Sequence, residues 1–337
     1  MSAAPDKSQG ASPKPWLSVI MPIYNGAETL PDTLASLEGQ TEGLEILAIN
    51  QGSADNSRSL LERASQRFPL RIIDNPHSSG WTENTNLGFA EAQADLVTML
   101  HQDDVWTPDR TAILKAMAEA DDSVDLWLHA GSLIDLSGRR LGRMAPPFGR
   151  NTRRVTSEEA LSTLFVQNTV ALPAAMMRRS AVMEMGLDTS LWYTADWDLW
   201  LRLADKGIYW NPTEAASFRI HAGSLTVTGA RDKTDLRAQL AAPGQTHASR
   251  LPRDSRAHVQ RLANVSIEIN LALAAALTGQ KNKLLPAILK MLSLGLNLPE
   301  FLSKSQLRAR LMPRMRLALR GRFTPAPIKA SVPDTMR

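Results

Sequence analysis

The sequence predicts an α/β protein: a doubly wound, mainly parallel sheet with a C-terminal helical extension. Three observations carry this. Strand and helix signals alternate from Trp16 to about Ala130. The strand segments are near-continuous apolar runs, the mark of strands covered on both faces. Past about Arg231 the strand signals stop and only helical patterns remain. The expected organisation is a disordered polar lead at 1–15, an α/β domain at 16–230, a basic amphipathic helical extension at 231–322 and a disordered tail at 323–337.

Each element has a local reason. Leu17-Ser-Val-Ile-Met21 is a short apolar run ended by Pro22 and the turn signal Asn25-Gly26. Helical periodicity follows from Glu28 to Leu37. Leu44 to Ile49 is the next strand, closed by Asn50-Gln51-Gly52-Ser53, and Asp55 is placed to cap a helix running to about Phe68. Leu70 to Ile73 is a third strand, Asp74 to Gly80 a turn, Thr82 to Ala92 a helix and Asp95 to Leu100 a fourth strand. Thr107-Pro108 reads as an N-cap followed by proline at the first helical position. Asp125 to Ala130 and Ser132 to Leu141 read as two strands around a break at Gly131. Thr156-Ser-Glu-Glu159 is a capping box, and Asp196 to Ala204 is helical, stopped near Gly207. Four helical stretches are expected in the extension, ending around Arg320.

Composition narrows the chemistry. The 337 residues include no cysteine, which excludes disulfides, thiolate metal sites and cysteine nucleophiles. That fits a reducing compartment, so a cytoplasmic location is expected. A formal charge of +4 leaves phosphorylated substrates and anionic lipid as partners. No base-reading motif accompanies the charge, so nucleic acid is not expected. The lead lacks an apolar h-region, and no apolar run is long enough to span a bilayer.

The chemistry-bearing residues gather where strands end. Leu100-His-Gln-Asp-Asp-Val-Trp106 follows a buried strand and sets two carboxylates at its carboxyl end, where open α/β sheets place their ligand crevice. Adjacent carboxylates raise each other's pKa unless a cation neutralises them. A hard divalent ion carrying a phosphorylated ligand suits Asp103 and Asp104, with His101 supplying imidazole; helix capping by Asp104 is the plainer alternative. Met21-Pro-Ile-Tyr-Asn25 offers backbone groups and an aromatic ring to a nucleotide base, or is an ordinary turn. Gln51 carries donors and acceptors suited to a base edge or ribose hydroxyl, and the same segment serves equally as a turn and cap. Asp196 and Asp198 open a helix whose dipole favours carboxylates, and Asp196, beside Trp192 and Trp197, is also a candidate general base.

Taken in order, these segments resemble the family 2 glycosyltransferases of GT-A fold. Leu17 to Gly26 resembles the family's opening strand and loop. Ile49-Asn-Gln-Gly-Ser-Ala-Asp55 resembles its Val-Asp-Asp-Gly-Ser-Thr-Asp, and Asn86-Leu-Gly88 its Asn-x-Gly. Leu100 to Trp106 resembles the DXD region, Ala195 to Arg202 the Glu-Asp-Trp-Asp-Leu-Trp-Leu-Arg segment, and Phe218 to Leu225 the Tyr-Arg-x-His-x-Gly-Ser that follows. The resemblance covers about Leu17 to Thr226. It implies an inverting, nucleotide-sugar-dependent transferase using Mg²⁺ or Mn²⁺, with Asp196 as catalytic base. It implies a donor pocket of Pro22, Tyr24, Asn25, Gln51, Asn86, Asp103 and His221, and metal contacts from Asp103, Asp104 and His101. His101, Asn50, Gln51 and Ala195 depart from the family pattern, which implies altered donor preference. A sugar-phosphate nucleotidyltransferase would carry a Gly-rich basic loop after the first strand, and Pro22 to Ala27 is not one. A nucleotide- or glycan-binding module with a decayed site is the non-enzymatic alternative.

From Phe301 to Ser331 there is no acidic residue, while eight basic residues interleave with Leu307, Leu311, Met315, Leu317 and Leu319. That pattern suits a helix lying on the anionic inner face of the plasma membrane, as a lipid-linked acceptor would require. A helix packed on the catalytic domain with a solvated basic face fits equally well.

Overall fold

Strand β1 (Leu17–Ile23) is buried along its whole length and lies between β2 (Leu44–Asn50) and β4 (Leu96–Met99), parallel to both. In this computed structural model, residues 14–221, 233–277 and 280–319 are described. All but two residues of the expected lead, the whole of the expected tail and residues 222–225 of the Phe218–Leu225 motif lie outside them. β3 (Leu70–Asp74) adds to β2 in parallel. On the other side of β4 come β9 (Ala175–Arg178), β6 (Leu126–Ile134), β10 (Ile208–Arg219) and the short β5 (Val105–Trp106). β9 runs antiparallel to both β4 and β6, β10 parallel to β6, and β5 antiparallel to β10. β7 (Arg140–Met144) and β8 (Arg153–Val155) attach antiparallel to β6 and β10.

The apolar strands cover both faces, as their composition requires. Ile20, Leu47, Ile49, Val97 and Met99 face one core; Val19, Met21, Ile46 and Ala48 face the other. The first carries helix α3 (Trp81–Glu91), and the second carries α1 (Leu30–Ala35), α2 (Ser57–Ser65) and α4 (Arg110–Ala120). The extension joins the first core. Leu236, Leu240, Val259, Leu262 and Phe301 are buried in it, each worth about 1.5–3 kcal/mol of transfer free energy. Its described residues form five α-helices rather than four: Lys233–His247, Arg253–Leu277, Leu284–Leu292, Leu298–Ser305 and Leu307–Leu319.

Two local expectations are corrected. Gly131 does not break a strand: β6 runs through it, and a Cβ there would sit 2.7 Å from the Ala171 Cβ, so the glycine permits close packing. Thr107-Pro108 does not open helix α4, whose N-cap position is Asp109; Thr107 instead donates from its N and Oγ1 to the Ala215 carbonyl, tying the chain to β10. Leu307 of the last helix is buried in the first core and Leu311 packs against it, while the side chains of Met315, Leu317 and Leu319 lie outside those described.

Candidate active site

The site forms where β1, β2 and β4 end together. Asn25, at φ 48°, turns the chain after β1, and the loop is clamped onto the one after β2. Asn25 N donates to Ser53 Oγ, Gly26 N to Ser57 Oγ and Ala27 N to Asp55 Oδ2, while Asn25 Oδ1 accepts from Ala54 N. Pro22 is buried inside β1, beyond Ile20 where pairing to β4 stops, so its missing N–H costs no ladder bond there. It shapes the strand end. Gln102, which sequence reasoning passed over, makes both amide bonds to the Tyr24 backbone: Tyr24 N donates to Oε1 (2.7 Å) and Nε2 donates to Tyr24 O (3.0 Å). The loops after β1 and β4 are thereby held as one wall.

Beside that wall runs a chain of amides. Gln51 Nε2 donates to Ser78 O, Asn84 Nδ2 to Gln51 Oε1, and Asn75 Nδ2 to Asn84 Oδ1. Asn50 donates to Asp74 Oδ1 at 2.8 Å. An aspartate at position 50 would set two carboxylates against each other there, which accounts for the neutral residue. Asn86 bonds in another direction. Its amide accepts from Leu187 N and donates to Leu187 O, pinning α3 to the chain that leads to the proposed base.

The two adjacent aspartates have separate surroundings. Asp104 is wholly buried, and its Oδ1 accepts from Arg219 N at 3.0 Å. Burial and the Asp103 charge push its carboxyl well above the usual range, while Arg219 and Arg110 pull the other way. Both arginines are themselves buried, and the other carboxyl oxygen, Asp104 Oδ2, is enclosed without a hydrogen-bond partner. Asp103 stays partly exposed, with Oδ2 3.1 Å from His221 Nε2. Arg219 closes this corner by donating from Nε to Asp103 O, from Nη1 to Asp135 and Leu136 carbonyls, and from Nη2 to Asp32. His101 is partly buried; desolvation lowers its pKa to about 4 against the opposing pull of Asp103, so the ring is neutral, and its Nε2 has no hydrogen-bond partner. No cluster of three or more acidic or imidazole ligands is assembled among the described residues, so the expected His101, Asp103 and Asp104 trio is not gathered.

One aromatic bridge joins this corner to the helix carrying Asp196. The Trp81 ring meets His101 edge-on at 5.3 Å, and Trp81 Nε1 donates to Trp192 O, four residues before Asp196. The helix Ala195–Leu203 starts there with Asp196 in its first turn. Burial raises the Asp196 pKa to about 6 despite hydrogen bonds from Asn168 Nδ2 (2.9 Å) and backbone groups. The helix Lys233–His247 holds this segment from behind. Trp192 Nε1 donates to Asp235, Gln239 bonds Tyr193 N and Ser190 O, and Thr194 Oγ1 donates to Gln239 O. Asp198 faces inward to His247 Nε2 at 2.6 Å and to Arg202. His247, Gln239 and Asn168 lie in segments without a motif; only the fold reveals them.

The strand-end loops thus carry the partly exposed Asp103, and Trp81 ties them to the helix whose first turn holds Asp196, an arrangement of the GT-A glycosyltransferase class. The Glycosyl transferase family 2 model matches residues 18–186, and the chain belongs to that family. A glycosyltransferase of Rickettsia prowazekii without assigned substrate is 25% identical over 219 residues, covering 64% of this chain and 67% of that one. An undecaprenyl-phosphate 4-deoxy-4-formamido-L-arabinose transferase of Salmonella paratyphi A is 32% identical over 122 residues, 34% of this chain and 37% of its own length. Among solved structures, Staphylococcus aureus TarS 1–349 with UDP-GlcNAc superposes with a TM-score of 0.59 at 13% identity, covering 91% of this chain and 93% of that one. The mannosyltransferase PcManGT of Pyrobaculum calidifontis, with GDP-Man and Mn²⁺, does so at 0.53 and 18% identity, covering 91% and 87%. These likenesses establish the GT-A fold with a helical C-terminal region.

Proposed function

We propose that the protein transfers a sugar from a nucleoside diphosphate sugar to a hydroxyl acceptor, inverting the anomeric carbon. The observation that carries this reading is Asp196, a carboxylate raised to about 6 at the helix end bridged through Trp81 to the Asp103 corner. A base with a pKa near working pH takes the acceptor's proton as its oxygen bonds to the anomeric carbon, and the bond to the diphosphate breaks with its electron pair. A single displacement needs one base and no covalent sugar–enzyme intermediate. Asn168 orients that base. Tyr24, Asn25 and Gln51 supply the surface for the nucleoside, with Pro22 and Asn86 acting at one remove by fixing strand and helix.

A divalent cation, Mg²⁺ or Mn²⁺, would rest on Asp103, with the donor's diphosphate and water supplying most of its ligands. Asp103 offers a hard, accessible carboxylate, His221 lies against it, and His101 is a neutral imidazole with an unpartnered nitrogen. Bound with the donor, such an ion offsets charge on the departing diphosphate. The UDP- and GDP-sugar complexes of the structural neighbours support the donor class. The Salmonella relative's name supports a lipid-linked acceptor in polysaccharide or glycolipid synthesis, and with it a peripheral place on the inner face of the plasma membrane. Hydrolysis of UDP- and GDP-sugars, with and without Mn²⁺, tests the reading. Metal-stimulated turnover abolished by Asp103→Ala is expected; nucleotide binding with no turnover would favour a binding module.

A further inference from the structure

Five apolar side chains stand in water at one corner of the extension. Leu285, Ile288, Leu289 and Leu292 of the helix Leu284–Leu292, and Leu296 just beyond it, are 63, 45, 58, 53 and 100% exposed. The first four, at i, i+3, i+4 and i+7, form one stripe, while Ala287 and Leu294 are buried on the inner side. Single exposed leucines are ordinary, but a contiguous apolar stripe marks a contact surface. The arms Lys281–Leu292 and Gly295–Ser305 meet at 100°, and among the described residues no single helix is long and apolar enough to cross a membrane.

The charge around the stripe selects its partner. Lys281 and Lys283 sit exposed in the turn that opens the helix, and Lys290 lies on it, bonded to Glu268. Between Glu268 and Glu300 the sequence has no carboxylate. Lysines at a helix N-terminus oppose its dipole, so the helix itself gains nothing from them. A second copy of this chain would press lysines against lysines. Residues 320–337 carry Arg320, Arg322, Lys329 and Arg337 against Asp334 alone, the same sign as the stripe's rim. An anionic, apolar layer matches both properties.

We infer that the Leu285–Leu296 corner is the face by which the protein docks on an anionic lipid bilayer, inserting the stripe while Lys281 and Lys283 meet lipid phosphates. It deepens the proposed action on a lipid-linked acceptor and places membrane contact here rather than on the helix from Leu307. Co-sedimentation of the full chain with phosphatidylglycerol–phosphatidylcholine vesicles and with phosphatidylcholine alone is the test. Binding to the anionic vesicles is expected. Leu285→Gln/Leu289→Gln/Leu292→Gln should lower it about tenfold or more, and Lys281→Gln/Lys283→Gln should weaken it and flatten its salt dependence. Leu296→Gln, at a fully exposed position, should reduce binding with no effect on folding. Wild-type binding by the triple variant, no binding by the parent chain, or a parent dimer that the triple variant turns monomeric with vesicle binding unchanged would overturn the inference. Donor hydrolysis in solution is read in parallel: its absence in the parent chain counts against the proposed reaction, and vesicle binding is judged on its own.

Discussion

Replacing Asp196 by asparagine should stabilise the protein as well as silence it, and the size of the gain is set by the buried charge. Burial lifts this carboxyl from 3.8 to about 6, so the folded state holds its proton more tightly than the unfolded chain does. At about pH 4 and below the folded group is neutral and the unfolded one at most partly ionised, so little penalty is felt. As pH rises from about 4 to about 6 the unfolded chain gives up the proton while the folded protein keeps it, and stability falls by up to about 3 kcal/mol, at 1.36 kcal/mol per pKa unit, before levelling off above 6. Its edge is open to solvent, which trims the figure towards about 2 kcal/mol. Asparagine keeps an acceptor for Asn168 Nδ2 and removes the charge. Urea unfolding of both proteins at about pH 4 and pH 8 isolates the effect, because every other titrating group cancels in the difference. Asp196→Asn should match the parent at the lower pH and exceed it by about 2–3 kcal/mol at the higher. A difference that does not change with pH would refute the desolvated-carboxylate argument.

Three other substitutions probe the surroundings. Asn168→Ala removes a hydrogen bond that favours the charged form of Asp196, so the acid limb of the pH–rate profile should move above about 6, which pH-dependent kinetics will report. Gln102→Ala takes two hydrogen bonds from the Tyr24 backbone, costing about 1–3 kcal/mol, and should raise KM for the donor more than it lowers kcat. Asp198→Ala leaves buried His247 and Arg202 without their carboxylate and should cost about 3–5 kcal/mol, read by denaturant unfolding.

Much of the site was legible because parallel sheets put chemistry at strand ends. The apolar runs at Leu17, Leu44 and Val97 located those ends, and Tyr24, Gln51 and Asp103 followed from them. What pattern could not supply was direction within a pair of like residues. Asp103 and Asp104 are neighbours in sequence, yet Arg219, more than a hundred residues away, claims one and leaves the other to the cleft. Asn86 gave no local sign that it would meet Leu187. Gly131 looked like a break because nothing nearby in sequence announces Ala171, the residue that requires its missing side chain. Strand β9 was missed because an antiparallel insertion of four residues leaves too short a period to read. Gln102, Asn168 and His247 act through long-range hydrogen bonds, which spacing does not encode.

Transfer kinetics resolved against pH address the central idea most directly: a single desolvated carboxylate accepting the acceptor's proton. With donor and Mn²⁺ saturating, the parent's kcat should rise through an apparent pKa in the neighbourhood of 6, and Asp196→Asn should lose about 10²–10⁴-fold with that limb gone. Turnover by Asp196→Asn at the parent's rate and with the parent's pH profile would contradict it.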